Sequence, residues 1–135
     1  MVTNLSARIA KDESGFTLIE LLVVLIIIGV LLAIAVPSYL GLKDRAQRHA
    51  AASNVRSAIP AAEAWYGEHS PNSYGGMAVV TLQSQIDTGI KLTTAGAKNG
   101  GTEYCLSSKV GGWWGYVSGP GGQVQNSGQP ADPCV

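Results

Sequence analysis

The sequence predicts an α+β fold, in which a long N-terminal helical spine packs against a small antiparallel β-sheet head. Residues 16–42 form an almost entirely apolar run, and residues 43–67 continue it as an alanine-rich amphipathic stretch. The region after residue 70 is instead rich in Gly, Ser, Thr and Asn and contains short strand-like segments. A long helical pattern followed by strands is typical of the α+β class.

The composition narrows the classes of function. Nine Lys+Arg balance nine Asp+Glu over 135 residues, so the chain carries no net charge. Nucleic-acid binders normally show a basic face, and the neutrality argues against that class. No phosphate loop, nucleophile motif or metal-ligand spacing is present, and His49 and His69 have no converging acid. We therefore expect no catalysis, cofactor or metal, and surface positions for both histidines.

The apolar run from Phe16 to Leu42 spans 27 residues, with Glu20 as its only charge. A bilayer core needs about 20 helical residues, so the run is long enough to cross a membrane. A core helix of this kind would need a large domain around it. A removable signal, with residues 21–32 as its hydrophobic region and cleavage near Ala33–Ala35, remains an alternative. That alternative leaves Glu20 without a role.

Glu20 is explained if the chain is cut after Gly15. Phe16 then carries a free amine, and Glu20 lies four residues further along the same helical face. An isolated acid in lipid costs on the order of 2.5–3.5 kcal/mol. Opposite charges about 4 Å apart attract by roughly 4 kcal/mol at an effective dielectric of 20. The acid therefore needs an amine, its own or that of a neighbouring chain.

The stretch "GFTLIE" (15–20), followed by a long aliphatic helix, Gly29 and "VPSY" (36–39), resembles the N-terminus of type IV pilins and pseudopilins. The resemblance is close from residue 15 to about residue 47 and looser to residue 66. It implies that Gly15 is the last residue of a leader cut by a prepilin peptidase. It further implies that Phe16 becomes N-methylated and that Glu20 pairs with the Phe16 amine of the adjacent subunit.

The same resemblance implies a domain plan. Residues 1–15 would be the leader, 16–42 the transmembrane and assembly helix, 43–67 its amphipathic continuation, and 68–135 the head. The implied partners are other copies in a helical filament, the prepilin peptidase, an assembly platform with its ATPase, and membrane lipid before assembly. The prepilin would lie in the cytoplasmic (inner) membrane with its C-terminus outside, and then in a pilus, or fimbrium, at the cell surface.

The charges flanking the run disagree with this orientation. Arg8 and Lys11 precede the run, whereas Lys43, Arg45 and Arg48 follow it. The positive-inside rule slightly favours the opposite orientation. The family resemblance nevertheless implies an exported C-terminus.

Two positions in the helix are expected to weaken it. Gly29 and Pro37 lie within the apolar run, and proline removes a backbone donor and kinks a helix. The resemblance implies unwinding between such positions in assembled filaments.

The second half of the helix is expected to face the head. The apolar residues there recur at helical spacing, at Val55, Ile59, Ala62 and Tyr66. Pro60 should bend this part, and Gly67 should end it.

The head is expected to contain a short helix near residues 80–86 and strands at 89–94, 102–110 and 113–119. Gly111–Gly112 would form a two-residue hairpin turn. At least one of Trp113 and Trp114 should pack on the helix. Cys105 and Cys134 would form a disulfide if the head lies outside the cytoplasm, and free thiols are the alternative.

Three functions stay open beside the pilin. A pseudopilin of type II secretion or of DNA uptake is the runner-up within the same class, although a DNA-uptake pilin should carry clustered basic residues on its head and none cluster here. A single-pass anchored binding module, using the Trp113 and Trp114 surface, is less favoured.

Overall fold

One helix, α1, runs through more than a third of the chain. The computed structural model describes residues 15–69 and 71–135, and α1 spans Leu18–Glu68, 51 residues. The helix is continuous through Pro37 and Pro60, and it ends one residue beyond Gly67. The predicted long helical spine is therefore confirmed. The described chain divides into two units, the first ending at Leu40 and the second spanning Gly41–Val135.

The second unit adds a short helix and a four-stranded sheet to residues 41–68 of α1. The helix α2 spans Val79–Gln85, as predicted. The strands are β1 Thr94–Lys98, β2 Glu103–Val110, β3 Trp113–Gly119 and β4 Gln125–Ser127. They form an antiparallel sheet in the order β1-β2-β3-β4. The α+β prediction is confirmed.

The hairpin between β2 and β3 is the one that the sequence predicts. Val110 pairs with Trp113 across a two-residue turn formed by Gly111 and Gly112. Gly111 has a φ of +60°, a left-handed conformation that glycine adopts without a steric penalty. The predicted strands at 102–110 and 113–119 are confirmed within one residue.

The strand predicted at residues 89–94 is wrong, because the first strand begins only at Thr94. In residues 89–93, side chains donate hydrogen bonds to backbone carbonyls. A strand at this place would need those carbonyls for its partner strand. The Gln83 amide donates to the carbonyl of Ile90 (2.9 Å), and the Ser108 hydroxyl donates to that of Lys91 (2.9 Å). Ile90 itself is buried in the core, which explains the apolar pattern.

The core lies between the alanine-rich stripe of α1 and one face of the sheet. The buried residues of α1 are Ala51, Ala52, Val55, Ala58, Ala61, Ala62 and Trp65. Ile59 and Tyr66 are partly buried against the same core, so the predicted head-facing positions are confirmed. Trp65, which the periodicity argument did not include, is only 4% exposed.

Gly115 of β3 allows the sheet to approach α1 closely. A Cβ at this position would lie 2.5 Å from the carbonyl carbon and oxygen of Ala51, and 2.6 Å from the amide nitrogen of Ala52. Small residues on both elements therefore bring the strand against the helix backbone.

Candidate functional site

Thr17 and Glu20 cap the N-terminus of α1. The carboxylate Oε2 of Glu20 accepts hydrogen bonds from the Thr17 N–H (2.8 Å) and from the Thr17 hydroxyl (2.7 Å). The Glu20 N–H donates in return to Thr17 Oγ1 over 3.3 Å. This reciprocal pair is a capping box, which satisfies donors that the first turn of a helix leaves free.

Sequence reasoning missed Thr17, although the signal was present. A Thr-x-x-Glu pattern directly before an apolar run is the sequence form of a capping box. Within the chain the partner of Glu20 is thus Thr17 rather than Phe16. The pairing of Glu20 with the Phe16 amine of an adjacent subunit requires a second chain and stays a prediction.

The expected cleavage point is exposed. Gly15 and Phe16 precede α1, and the Phe16 side chain is 90% exposed. The rest of the expected leader, residues 1–14, lies outside the described residues. Cleavage after Gly15 and methylation of Phe16 remain predictions.

The first part of α1 exposes apolar side chains on every side. Between Leu21 and Val36 there is neither a charge nor a hydrogen-bonding side chain, and residues 18–42 are all exposed. The helix is long and apolar enough to cross a membrane, and none of its most apolar 18-residue window is buried in the structure. A helix that is hydrophobic all round requires an apolar environment outside its own chain.

Gly29 and Pro37 do not interrupt the helix in the single chain. Both lie within α1, and a Cβ added at Gly29 would meet no atom within 4 Å. No contact within the described residues therefore requires glycine at position 29. Unwinding between the two positions concerns an assembled filament and stays a prediction.

Trp113 packs where the charged part of α1 begins. Its indole N–H donates to the carboxylate of Asp44, and the Arg48 guanidinium lies 3.7 Å from the centre of its ring. Arg48 also forms an ion pair with Asp44 at 2.9 Å. The prediction that a tryptophan packs on the helix is confirmed.

Trp114 lies on the opposite face of the sheet and is only 5% exposed. Strand alternation places Cys105, Ser107 and Lys109 of β2 on that same face. Trp114 is buried and Trp113 is bound to Asp44 and Arg48, so the two rings do not together form the exposed surface that the less favoured binding module would use.

The C-terminal segment is tied to this second face. The disulfide joins Cys105 to Cys134, which confirms the predicted bond. Thr94 of β1 donates a hydrogen bond to the carboxylate of Asp132, and the Cys134 N–H donates to the same carboxylate (2.9 Å). The tail is therefore held by a covalent bond and by a hydrogen-bonded acid.

The histidines differ in their surroundings. His49 is exposed, as expected. His69 is partly buried, because its ring stacks on Trp65 with the centroids 3.6 Å apart. His69 therefore lies at the surface, as expected, but with one side of its ring covered by Trp65.

The N-terminal segment matches a known family. Residues 10–36 match the family described as the prokaryotic N-terminal methylation motif. No solved structure is significantly similar to the chain.

Curated relatives are similar to this chain over part of its length. The chain is 39% identical over 62 residues to the type IV major pilin protein PilA of Myxococcus xanthus, covering 46% of this chain and 28% of the relative. It is 42% identical over 48 residues to the type II secretion system core protein G of Escherichia coli, covering 36% and 33%. It is 55% identical over 47 residues to the type IV narrow pilus major component PilA5 of Thermus thermophilus, covering 33% and 40%.

These findings define the class of the N-terminal helix. Its relatives are type IV pilins and type II secretion pseudopilins, and the resemblance drawn from "GFTLIE" is confirmed. The chain spans between about a quarter and two fifths of the length of these three relatives. The names of these relatives are those of pilus and secretion-system components rather than of enzymes.

Proposed function

We propose that this chain is a non-enzymatic structural subunit of a type IV pilus-like filament. It is made as a membrane-inserted prepilin, cut between Gly15 and Phe16, methylated on the Phe16 amine, and polymerised through α1. The single observation that carries the proposal is the start of α1. There, a motif matching the N-terminal methylation family precedes a helix whose first 25 residues, 18–42, are almost entirely apolar and all exposed.

Physical chemistry supports two successive environments for the apolar part of α1. Residues 18–42 number 25, about 37 Å of helix at 1.5 Å per residue, and a bilayer core is about 30 Å thick. Lipid covers this surface before assembly, and the parallel helices of other copies cover it in the filament. The partners are therefore further copies, the prepilin peptidase, and an assembly platform with its ATPase.

Glu20 selects the register between helices. Before cleavage its carboxylate is bound by Thr17, which lowers the penalty of placing an acid near lipid. Cleavage creates a positive amine at Phe16. The attraction between that amine and a carboxylate about 4 Å away, roughly 4 kcal/mol at an effective dielectric of 20, favours the alignment in which a neighbouring amine reaches Glu20.

The domain plan, the orientation and the unwinding belong to the same proposal. The leader 1–15 stays in the cytoplasm, residues 16–42 cross the cytoplasmic membrane, and residues 43–67 with the head 68–135 lie outside.

In the filament, the helix α1 unwinds between Gly29 and Pro37, which gives the fibre extensibility. Proline already lacks one backbone donor, so opening at Pro37 breaks fewer hydrogen bonds.

A pseudopilin is the second candidate. The chain is similar to the E. coli core protein G, at 42% identity, as well as to two pilins, at 39% and 55% identity. These alignments cover less than half of the chain, so they do not separate a pilus from a secretion pseudopilus.

Two variants of Glu20 test the proposal. Glu20→Gln keeps an oxygen that accepts the Thr17 N–H, so the cap persists while the charge is lost. Glu20→Ala removes both. We expect both variants to insert into the membrane and to yield at least about tenfold fewer filaments, because the lost attraction exceeds the 1.4 kcal/mol that corresponds to a factor of ten.

Glu68→Gln is the matched control, since it removes an exposed carboxylate from the last turn of the same helix. It should assemble like the wild type. Normal filament yield from Glu20→Gln would contradict the role of the charge. Normal yield from Glu20→Ala as well would favour a simple membrane anchor.

A further inference from the structure

Charged and aromatic side chains lie together where the apolar part of α1 ends. Leu42 is the last residue of the apolar run, and Lys43, Asp44 and Arg45 follow directly. If residues 16–42 cross the membrane, as proposed above, these residues lie at its outer surface. The inference rests on that proposal.

Trp113 is fixed at this same level. Its indole N–H is bound to Asp44, two residues beyond Leu42, and its ring is covered by Arg48. The side chain is only partly buried, so part of the ring remains accessible. Tryptophan is enriched where membrane and water meet, because its ring is apolar and its N–H is polar.

The charges at this level do not cancel. Asp44 is engaged by both Arg48 and Trp113. Lys43 and Arg45 are exposed, and neither forms an ion pair with any residue in the described parts of the chain. Two cations therefore remain available beside the apolar run.

The two free cations point in different directions. Residues two positions apart on an α-helix are separated by about 200° around its axis. Lys43 and Arg45 thus flank the side of the helix on which Asp44 and Arg48 meet Trp113. A protein partner binding one side of the helix would reach only one of them. A layer of lipid headgroups surrounds the helix and reaches both.

We propose that Lys43, Arg45 and Trp113 form a collar that binds the headgroups of anionic phospholipids. Juxtamembrane Lys and Arg contribute about 1 kcal/mol each towards anionic lipid, which amounts to about fivefold per cation. The collar also accounts for Lys43 and Arg45, two of the three basic residues on the side that the positive-inside rule disfavours. The collar holds the head at the membrane surface while the subunit awaits assembly.

The test uses the full chain reconstituted in phosphatidylcholine vesicles. Its preference for spin-labelled phosphatidylglycerol over spin-labelled phosphatidylcholine is measured by electron paramagnetic resonance. The wild type should prefer phosphatidylglycerol several-fold, and the preference should weaken with salt. Lys43→Gln with Arg45→Gln should abolish it. The control, Lys91→Gln with Lys98→Gln, removes the same charge from exposed lysines of the head and should keep it.

A wild type without preference would overturn the collar, as would equal effects of the two double variants. A double variant that lowers chemical cross-linking between copies in pure phosphatidylcholine would also overturn it, by assigning the cations to a second copy. Extraction at alkaline pH is measured in parallel. Protein that leaves the vesicles contradicts membrane insertion and hence the proposed function, whereas inserted protein without lipid preference contradicts only the collar.

Trp113 has a separate readout. Phospholipid carrying a spin label on its headgroup should quench the tryptophan fluorescence of the wild type, and Trp113→Phe should lose most of that quenching. Equal quenching in both proteins would remove Trp113 from the collar.

Discussion

Gly115 and Ala51 show how small residues set the distance between β3 and α1. A methyl group at Gly115 would meet the backbone of Ala51 and Ala52 at 2.5–2.6 Å, and backbone atoms inside a helix cannot move aside as a flexible side chain can. Overpacking of this kind destabilises a core by about 1–3 kcal/mol. The close approach of β3 to α1 therefore depends on glycine at position 115.

We expect Gly115→Ala to lower the free energy of unfolding of the head by about 1–3 kcal/mol. The measurement is denaturant unfolding of the full chain followed by tryptophan fluorescence, since Trp65, Trp113 and Trp114 all lie in the unit Gly41–Val135. Gly96→Ala in β1 is the control, because a Cβ there meets nothing within 4 Å. Equal stability of the two variants would contradict the packing described for β3.

Residue-level reasoning from sequence reached Glu20 but explained it incompletely. The acid stood out because the surrounding run has no other charge, and the need for a positive partner followed from the low dielectric of lipid. The Thr-x-x-Glu pattern also predicts the hydrogen bonds from Thr17, which the charge argument alone does not contain. The contacts of Trp113 with Asp44 and Arg48 join residues 69 and 65 positions apart, and no local pattern encodes such contacts.

At the scale of elements, the helices and two of the strands were predictable because their signals are local. Apolar periodicity defined α1, and the Gly111–Gly112 turn defined the hairpin of β2 and β3. The strand expected at 89–94 does not form over most of that range. Gln83 of α2 donates a hydrogen bond to the Ile90 carbonyl and Ser108 of β2 donates one to the Lys91 carbonyl, and no local sequence pattern encodes these contacts. The three-residue strand β4 exists only through its pairing with β3.

The C-terminal tail is an element whose stability depends on pH. Burial raises the pKa of Asp132, but hydrogen bonds from the Thr94 hydroxyl and the Cys134 N–H, with the charge of Lys98, outweigh burial and lower it. A carboxyl whose pKa is lowered by folding stabilises the fold above its unfolded pKa, about 3.9, and loses that contribution as pH falls through the folded value.

We therefore expect Asp132→Asn to destabilise the head at neutral pH by roughly 1.5–3 kcal/mol, the range for hydrogen bonds to a charged group. The difference from wild type should shrink as the pH falls below the ordinary carboxyl range. Urea unfolding at neutral and at acid pH measures both, with Glu68→Gln as a control for loss of an exposed carboxylate. A constant difference at all pH values would rule out the Asp132 carboxylate as the source.

At the scale of the whole molecule, the two units have different requirements. The unit Gly41–Val135 buries its own core and closes its tail with a disulfide. The described part of the other unit, residues 15–40, buries no side chain and exposes its apolar surface throughout. An apolar surface of this kind needs an apolar environment outside the chain, and this need is the physical basis for proposing that the chain assembles into a filament.

The proposed assembly depends on a positive chain end that can reach the carboxylate of Glu20. Mass spectrometry of the N-terminal peptide from protein recovered from cells tests this directly. The account predicts a first residue that is Phe16, with a methyl group on its amine. A first residue upstream of Gly15, or a start at Val36 as after an ordinary secretory signal, would contradict it.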